Sequence, residues 1–122
     1  MSTAELIMYM VIICGVGMIM LGIGIWQLRA KEPVAFYTGE IPPRPSQLSD
    51  VNMWNKKHGL MWALYGVAII VSGLLALFMR ESVVPSILSM GVIILGIPVM
   101  IFYHTHLRNK YLKENEKETK DE

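Results

Sequence analysis

At 122 residues the chain is long enough for one domain and too short for a second independent core. Hydrophobic residues make up 53% of it and charged residues 17%, below the roughly 25% that is typical of soluble domains. A net charge of +1 gives no electrostatic reason to expect a nucleic-acid partner. The charged side chains lie at the N-terminal edge and in the segments between and after three mostly apolar stretches. This distribution is typical of membrane spans separated by water-exposed segments.

The three uncharged stretches cover residues 6–28, 60–79 and 83–103. A hydrocarbon layer of about 30 Å is crossed by about 20 helical residues, so each stretch is long enough to span it. We therefore predict an all-α fold, a single transmembrane domain over residues 1–122, with spans at about 6–28, 59–79 and 83–104. No Lys or Arg precedes the first stretch and no A-x-A-like cleavage pattern follows it, which indicates an uncleaved first helix and not a signal peptide.

Basic residues are distributed unevenly along this predicted three-helix bundle. Ten of the eleven lie in the loop at 29–57 or in the tail at 107–122, and Arg80 alone lies between the second and third helices. Because basic residues favour the cytoplasmic side, we predict that the loop and the tail are cytoplasmic and that the N-terminus is outside. The short connection at 80–82 predicts that the second and third helices form a tight antiparallel hairpin.

The loop after the first helix contains four prolines between residues 32 and 45, which exclude a helix there. Ser49 or Asp50 is suited to cap the second helix, which we expect to start near Val51 and to run to Met79. The tail alternates Lys with acidic residues. It is expected to extend the third helix for a few turns and then to be solvated.

Small residues recur at intervals of seven in all three helices, and such rows let helix backbones approach closely in lipid. The residues predicted to pack helices together are Gly15, Gly17, Gly22, Gly24, Gly59, Gly66, Gly73, Ser89 and Gly96. We expect the rows of the second and third helices to face each other. In the first helix the pairs Gly15/Gly22 and Gly17/Gly24 lie on nearly opposite faces, so one pair is expected to bind a second copy or another membrane protein. The alternative is that glycine is simply common in membrane helices.

The predicted topology collects polar side chains at the cytoplasmic ends of the helices. This polar cluster consists of Asn55, His58, Tyr103 and His104, with His106 nearby. His58, His104 and His106 are candidate metal ligands, and a haem held by two histidines is a further alternative. The other interpretation is that the histidines hydrogen-bond lipid headgroups and helix ends, in which case no metal or cofactor is expected.

Catalytic and transport motifs are missing from the sequence. The spans hold no acidic or basic residue near their centres, which argues against ion-coupled transport. Phosphate-binding loops, Cys-x-x-Cys pairs, His-Glu-x-x-His helices and nucleophile elbows are likewise absent from the sequence. We therefore predict a protein that is not an enzyme and has no catalytic residues.

An aromatic and Thr-containing turn, Phe36-Tyr37-Thr38-Gly39, precedes a second helix that begins with Trp54, His58 and Gly59 and continues to Gly66. Over about thirty residues this arrangement resembles the SdpI-type immunity proteins of Gram-positive bacteria, although Tyr37 stands where a basic residue is expected and Gly59 follows His58 too closely. The Phe-Tyr-Thr-Gly-Glu-x-Pro-Pro run is also similar to uncharacterised small membrane proteins of clostridial-type bacteria. The resemblance implies a bacterial membrane protein with an immunity role.

Three functions are compatible with this sequence as hypotheses. The first is a non-enzymatic interaction, immunity or accessory-subunit protein of the cytoplasmic membrane, surrounded by lipid and bound to a second copy or another membrane protein. The second is a small oligomeric transporter or channel, since three helices are too few to enclose a path. The third is a membrane redox subunit that binds haem or a metal through its histidines.

Overall fold

The computed structural model describes residues 2–36 and 40–113. The predicted turn at 37–39 and the tail beyond residue 113 lie outside this described part. Three helices form the fold: α1 (Thr3–Arg29), α2 (Val51–Leu74) and α3 (Val84–Tyr111), with short 3-10 turns at Pro45–Gln47 and Leu75–Leu77. All three helices are long and apolar enough to cross a membrane, which confirms the all-α prediction with three candidate spans.

The helices begin where the sequence supplies acceptors for their unpaired N–H groups. The Ser2 hydroxyl accepts from the backbone N–H of Glu5, and the Glu5 carboxylate accepts from the N–H of Ser2, so α1 starts with a capping box. The Asp50 carboxylate accepts from the N–H of Met53 and starts α2. The α-helical part of α2 ends at Leu74, before the predicted end, because its last turn tightens into the 3-10 turn.

Helix α2 lies between α1 and α3, and its glycine row faces α1. A Cβ atom on Gly24 would lie 2.5 Å from the backbone nitrogen of Ala63, and one on Gly66 would lie 2.5 Å from the carbonyl oxygen of Gly17. The expectation that this row faces α3 is therefore wrong. On the α3 side the contact is a large side chain against a small one, since a Cβ on Gly96 would lie 2.5 Å from the Tyr65 ring.

A cluster of hydroxyl groups, buried at Ser72 and Ser89 and half-buried at Tyr9, connects all three helices near the end of the bundle that holds the α2–α3 connection. The Tyr9 hydroxyl lies 2.6 Å from the Ser89 hydroxyl and donates to the carbonyl of Pro85. The Ser72 hydroxyl lies 3.0 Å from Ser89 and donates to the carbonyl of Ile69. Each hydroxyl thus has a hydrogen-bond partner in a region with few polar groups, which fixes the three helices in register.

The opposite end of the bundle, where α1 finishes and α2 begins, is covered by the loop between these helices. We call this segment the 30–50 loop. Apolar residues of the loop, of α2 and of α3 form a buried cluster there, made of Val34, Leu48, Trp54, Leu107, Tyr111 and Leu112. The backbone N–H of Ser49 donates to the carbonyl of Tyr111, and the N–H of Lys113 donates to the carbonyl of Gln47. The loop therefore closes over the helix ends and is attached to the end of α3.

Candidate functional site

Helix α2 holds the first part of the 30–50 loop through two adjacent side chains. The Asn55 amide oxygen accepts from the N–H of Val34 at 3.0 Å, and its NH₂ group donates to the carbonyls of Ala30 and Glu32 at 3.0 and 2.9 Å. The Trp54 indole N–H donates to the carbonyl of Val34 at 2.9 Å. Asn55 is 2% and Val34 3% exposed, so the bond between them satisfies a backbone N–H that is sealed from solvent, and the bonds to Ala30 and Glu32 are part-buried.

Next to Trp54 and Asn55, two buried histidines contact each other across the α2–α3 interface. Nε2 of His58 lies 2.8 Å from Nδ1 of His104. Behind them, Nδ1 of His58 lies 2.8 Å from the carbonyl oxygen of Trp54, and Nε2 of His104 lies 3.4 Å from a carboxylate oxygen of Glu40. The second carboxylate oxygen of Glu40 accepts from the N–H of Phe36 at 3.0 Å. We call these five residues the histidine network.

The polar partners restrict the hydrogen-bond directions in the histidine network. The carbonyl of Trp54 only accepts, so Nδ1 of His58 donates to it. In a neutral His58 ring, Nε2 then accepts from Nδ1 of His104. One oxygen of Glu40 accepts from the N–H of Phe36, and the other faces Nε2 of His104.

Replacement of Glu40 tests the contribution of its two contacts. In Glu40→Gln the amide oxygen can accept from the N–H of Phe36 and the NH₂ group can donate to Nε2 of His104, so both contacts are kept. We expect Glu40→Gln to change the free energy of unfolding by less than about 0.5 kcal/mol and Glu40→Ala to lower it by about 1 kcal/mol. Denaturant titration in detergent measures both. A Glu40→Gln variant as unstable as Glu40→Ala would contradict this role of the Glu40 side chain.

Aromatic rings surround the two imidazoles of the histidine network. The Phe36 ring stacks on His104 with centroids 4.8 Å apart and an interplanar angle of 16°, and it lies 5.6 Å from the Trp62 ring. The Trp54 ring lies 4.2 Å from His58. These contacts bury both imidazoles, since His58 is 0% and His104 7% exposed.

The structure brings together only part of the polar cluster expected from sequence. His58 and His104 contact each other, whereas the Asn55 side chain, one turn before His58 on α2, bonds the loop backbone. Tyr103 is half-buried, and its ring stacks on the ring of His106 with centroids 6.3 Å apart. His106 itself is exposed and lies outside the histidine network. Among residues 2–36 and 40–113, no group of three or more His, Cys, Asp or Glu side chains is placed to hold a metal ion. The metal alternative thus gains no third ligand of these types from this part of the chain, and the haem alternative stays a prediction.

Two members of the network were not expected from sequence. Phe36 and Glu40 lie in the proline-containing loop, and no regular spacing relates either to a histidine. The available signal was that Glu40 is followed by Ile41 and Pro42 in a segment where prolines already restrict the backbone, which favours a fixed loop conformation. That signal does not specify the partner of the carboxylate.

No protein-family model, no curated protein and no solved structure matches this chain. The resemblance to SdpI-type immunity proteins therefore stays a prediction. Any function must be inferred from the residues of the chain itself and from the geometry of the three helices.

Proposed function

We propose that this chain is a non-enzymatic interaction protein of the cytoplasmic membrane, in which the outer face of α1 binds a further transmembrane helix. One observation supports the proposal most directly. Gly15 and Gly22 have the same seven-residue spacing as Gly17 and Gly24, which pack on α2. Around a Cβ on Gly15 or Gly22, however, nothing lies within 4 Å among the described residues.

The side chains around Gly15 and Gly22 follow the spacing of one helix face. This outer face consists of Met8, Val11, Ile12, Gly15, Met18, Ile19 and Gly22. Its five large members are each more than half exposed. Exposed apolar side chains alone are ordinary in lipid, but two glycines between them form a groove in which a second helix backbone can approach closely. The contact between α1 and α2 shows how closely such glycines let two helices approach, because Gly24 and Gly59 bring the two backbones into contact.

In this proposal the N-terminus is outside, and the 30–50 loop and the tail are cytoplasmic, as the basic residues predict. The loop then provides a fixed cytoplasmic surface held by Asn55 and Trp54. A membrane-impermeant maleimide tests the orientation on intact cells. With Cys14 replaced by Ala, a cysteine at exposed Ser46 should be protected and one at exposed Ser2 should react. The reverse labelling would overturn the orientation.

The double variant Gly15→Leu with Gly22→Leu tests the outer face. We expect it to reduce disulfide cross-linking through a Met18→Cys reporter at least about tenfold, because two bulky side chains fill the groove. The matched control is Gly91→Leu on α3, where a Cβ also has nothing within 4 Å among the described residues. Both variants should keep the thermal stability of the monomer.

Differently tagged copies distinguish the partner in the same experiment. Cross-links between the two tags identify a second copy of the chain, and cross-links to another polypeptide identify a separate membrane protein. Unchanged cross-linking in the double variant would overturn the proposal. The immunity role is one form that such an interaction would take, whereas the transporter, channel and redox alternatives stay predictions.

A further inference from the structure

A groove of about 410 Å³ runs between α2 and α3. The Tyr65 ring lies against Gly96 in this interface, where a Cβ on Gly96 would lie 2.5 Å from it. A large ring in this position keeps the two backbones apart, so α2 and α3 leave a groove between them. The buried side chains of its lining are Met61, Tyr65 and Met100, and the most exposed apolar ones are Leu64 and Val99. An apolar ligand could therefore lie along the groove in contact with both helices.

One end of the groove carries a positive charge. Lys57 and Tyr103 line this end, and each directly precedes one of the two histidines that contact each other, so they lie at the same level of neighbouring helices. Lys57 is half-buried, and within residues 2–36 and 40–113 it has no ion-pair partner. An ammonium group has three donors and no acceptor, and a phenol hydroxyl can add a further donor. This end therefore favours an anionic oxygen such as that of a phosphate group.

The position of Lys57 along α2 places this charge at the predicted membrane boundary, because Lys57 is the last charged residue before the uncharged stretch at 60–79. The groove lining spans Lys57 to Tyr65 on α2 and Gly96 to Tyr103 on α3, about 10–12 Å of helix in each case. This length is within the roughly 15 Å that one leaflet contributes to a hydrocarbon layer of about 30 Å. The groove thus matches one acyl chain whose headgroup lies at Lys57.

We propose that the groove binds one anionic phospholipid from the leaflet next to the 30–50 loop. The phosphate accepts from the Lys57 ammonium group, and one acyl chain packs along Leu64 and Val99. A phosphatidylcholine offers the same chains, but its choline group offsets the phosphate charge, so the net charge of the headgroup determines the preference. The groove does not include α1, so this lipid site is independent of the helix partner in the proposed function.

The probe is dioleoylphosphatidylglycerol, titrated into the full chain in detergent and followed by native mass spectrometry. Dioleoylphosphatidylcholine, which has the same acyl chains, is titrated in parallel. We expect the first phosphatidylglycerol to bind at least about fivefold tighter than the first phosphatidylcholine, because one ammonium group near an anionic headgroup contributes about that factor. Equal affinities would overturn the anionic preference, and binding without a distinct first site would overturn the groove as a site.

Two adjacent lysines provide a matched pair of variants. Lys57→Gln should make the first-site affinities for the two lipids equal, whereas Lys56→Gln, the same change at an exposed residue outside the lining, should keep the preference for phosphatidylglycerol. Lys57→Arg retains the charge and should keep the preference as well. Equal losses in the two glutamine variants would show a general effect of surface charge and would overturn the assignment of the headgroup to Lys57.

Filling the groove tests the contact with the acyl chain. Val99→Trp adds a large ring at a 65% exposed position of the lining, so we expect it to weaken first-site binding of both lipids at least about fivefold. Val71→Trp makes the same change at a 53% exposed position outside the lining and should bind both lipids as the parent chain does. Both variants should keep the thermal stability of the chain. Unchanged binding in Val99→Trp would overturn the acyl-chain contact.

A photo-cross-linking benzophenone side chain in place of Val99 identifies the occupant of the groove in the membrane. Irradiation should give phospholipid adducts that are richer in anionic headgroups than those formed from the same side chain in place of Val71. Adducts of equal composition at the two positions would overturn headgroup selection. A polypeptide adduct at Val99 would assign the groove to a helix of another chain and would overturn the lipid.

Discussion

Replacing Gly24 by alanine is expected to lower the free energy of unfolding by about 2 kcal/mol. The added Cβ would lie 2.5 Å from the backbone of both Gly59 and Ala63, and neither backbone can move without separating α1 from α2. Alanine favours a helix over glycine by about 0.5 kcal/mol or more, so the steric effect must exceed an intrinsic gain.

The matched control is Gly22→Ala, two residues earlier on the same helix. Its Cβ would meet nothing within 4 Å among the described residues, so only the helix-forming gain applies and stability should be unchanged or higher. Thermal unfolding of both variants in one detergent measures the difference. Equal stability of the two variants would show that α1 and α2 are not packed backbone to backbone.

Asn55→Ala is expected to release the 30–50 loop and to lower the free energy of unfolding by about 3 kcal/mol. The substitution removes three hydrogen bonds at once and leaves the N–H of Val34 buried without an acceptor, since Val34 is 3% exposed. Hydrogen exchange at the amide of Val34 should therefore rise much more than exchange within the three helices.

Asn52→Ala is the control for Asn55→Ala, because Asn52 lies one turn earlier on α2 and is exposed. Asn55→Asp is a sharper variant of similar size. Its carboxylate can accept from Val34 but cannot donate to the carbonyls of Ala30 and Glu32, so it should also destabilise the loop. If the Val34 amide kept its full protection from hydrogen exchange in Asn55→Ala, the role of Asn55 in holding the loop would be contradicted.

The presence of three long apolar helices was predictable because uncharged length is a local property of the sequence. The start of α2 was predictable from Asp50, whose carboxylate caps the helix that begins at Val51. The residue at which the α-helical part of α2 ends was not predictable. The change to a 3-10 turn at Leu75–Leu77 alters the hydrogen bonding, and no proline or glycine within that turn marks it.

The choice of packing partner was not predictable from spacing. A seven-residue row of small residues indicates that a close helix contact exists, but it does not specify which neighbour makes it. Gly66 and Ser89 belong to rows of the same period, yet Gly66 contacts the α1 backbone, whereas Ser89 hydrogen-bonds Tyr9 and lies near Ser72. The short connection between α2 and α3 makes these helices neighbours, but it does not determine which helix packs against the glycine row of α2.

The histidine network was predictable only in part. Topology placed His58 and His104 at the same level of neighbouring antiparallel helices, which is sufficient to suggest that they face each other. The role of Glu40 depends on how the loop folds back, and that path is set by contacts such as those of Asn55 that are distant in sequence.

The pairing of Leu48 with Leu112 has a consequence for the order in which the chain folds. These residues are separated by more than half of the sequence, and the bond from Ser49 to the carbonyl of Tyr111 spans a similar distance. During synthesis α1 and α2 exist before the end of α3 has been made, so the loop lacks its last backbone partners. We expect loop closure to be the final folding event, and a chain cut short before Tyr111 would present an open loop to cellular proteases.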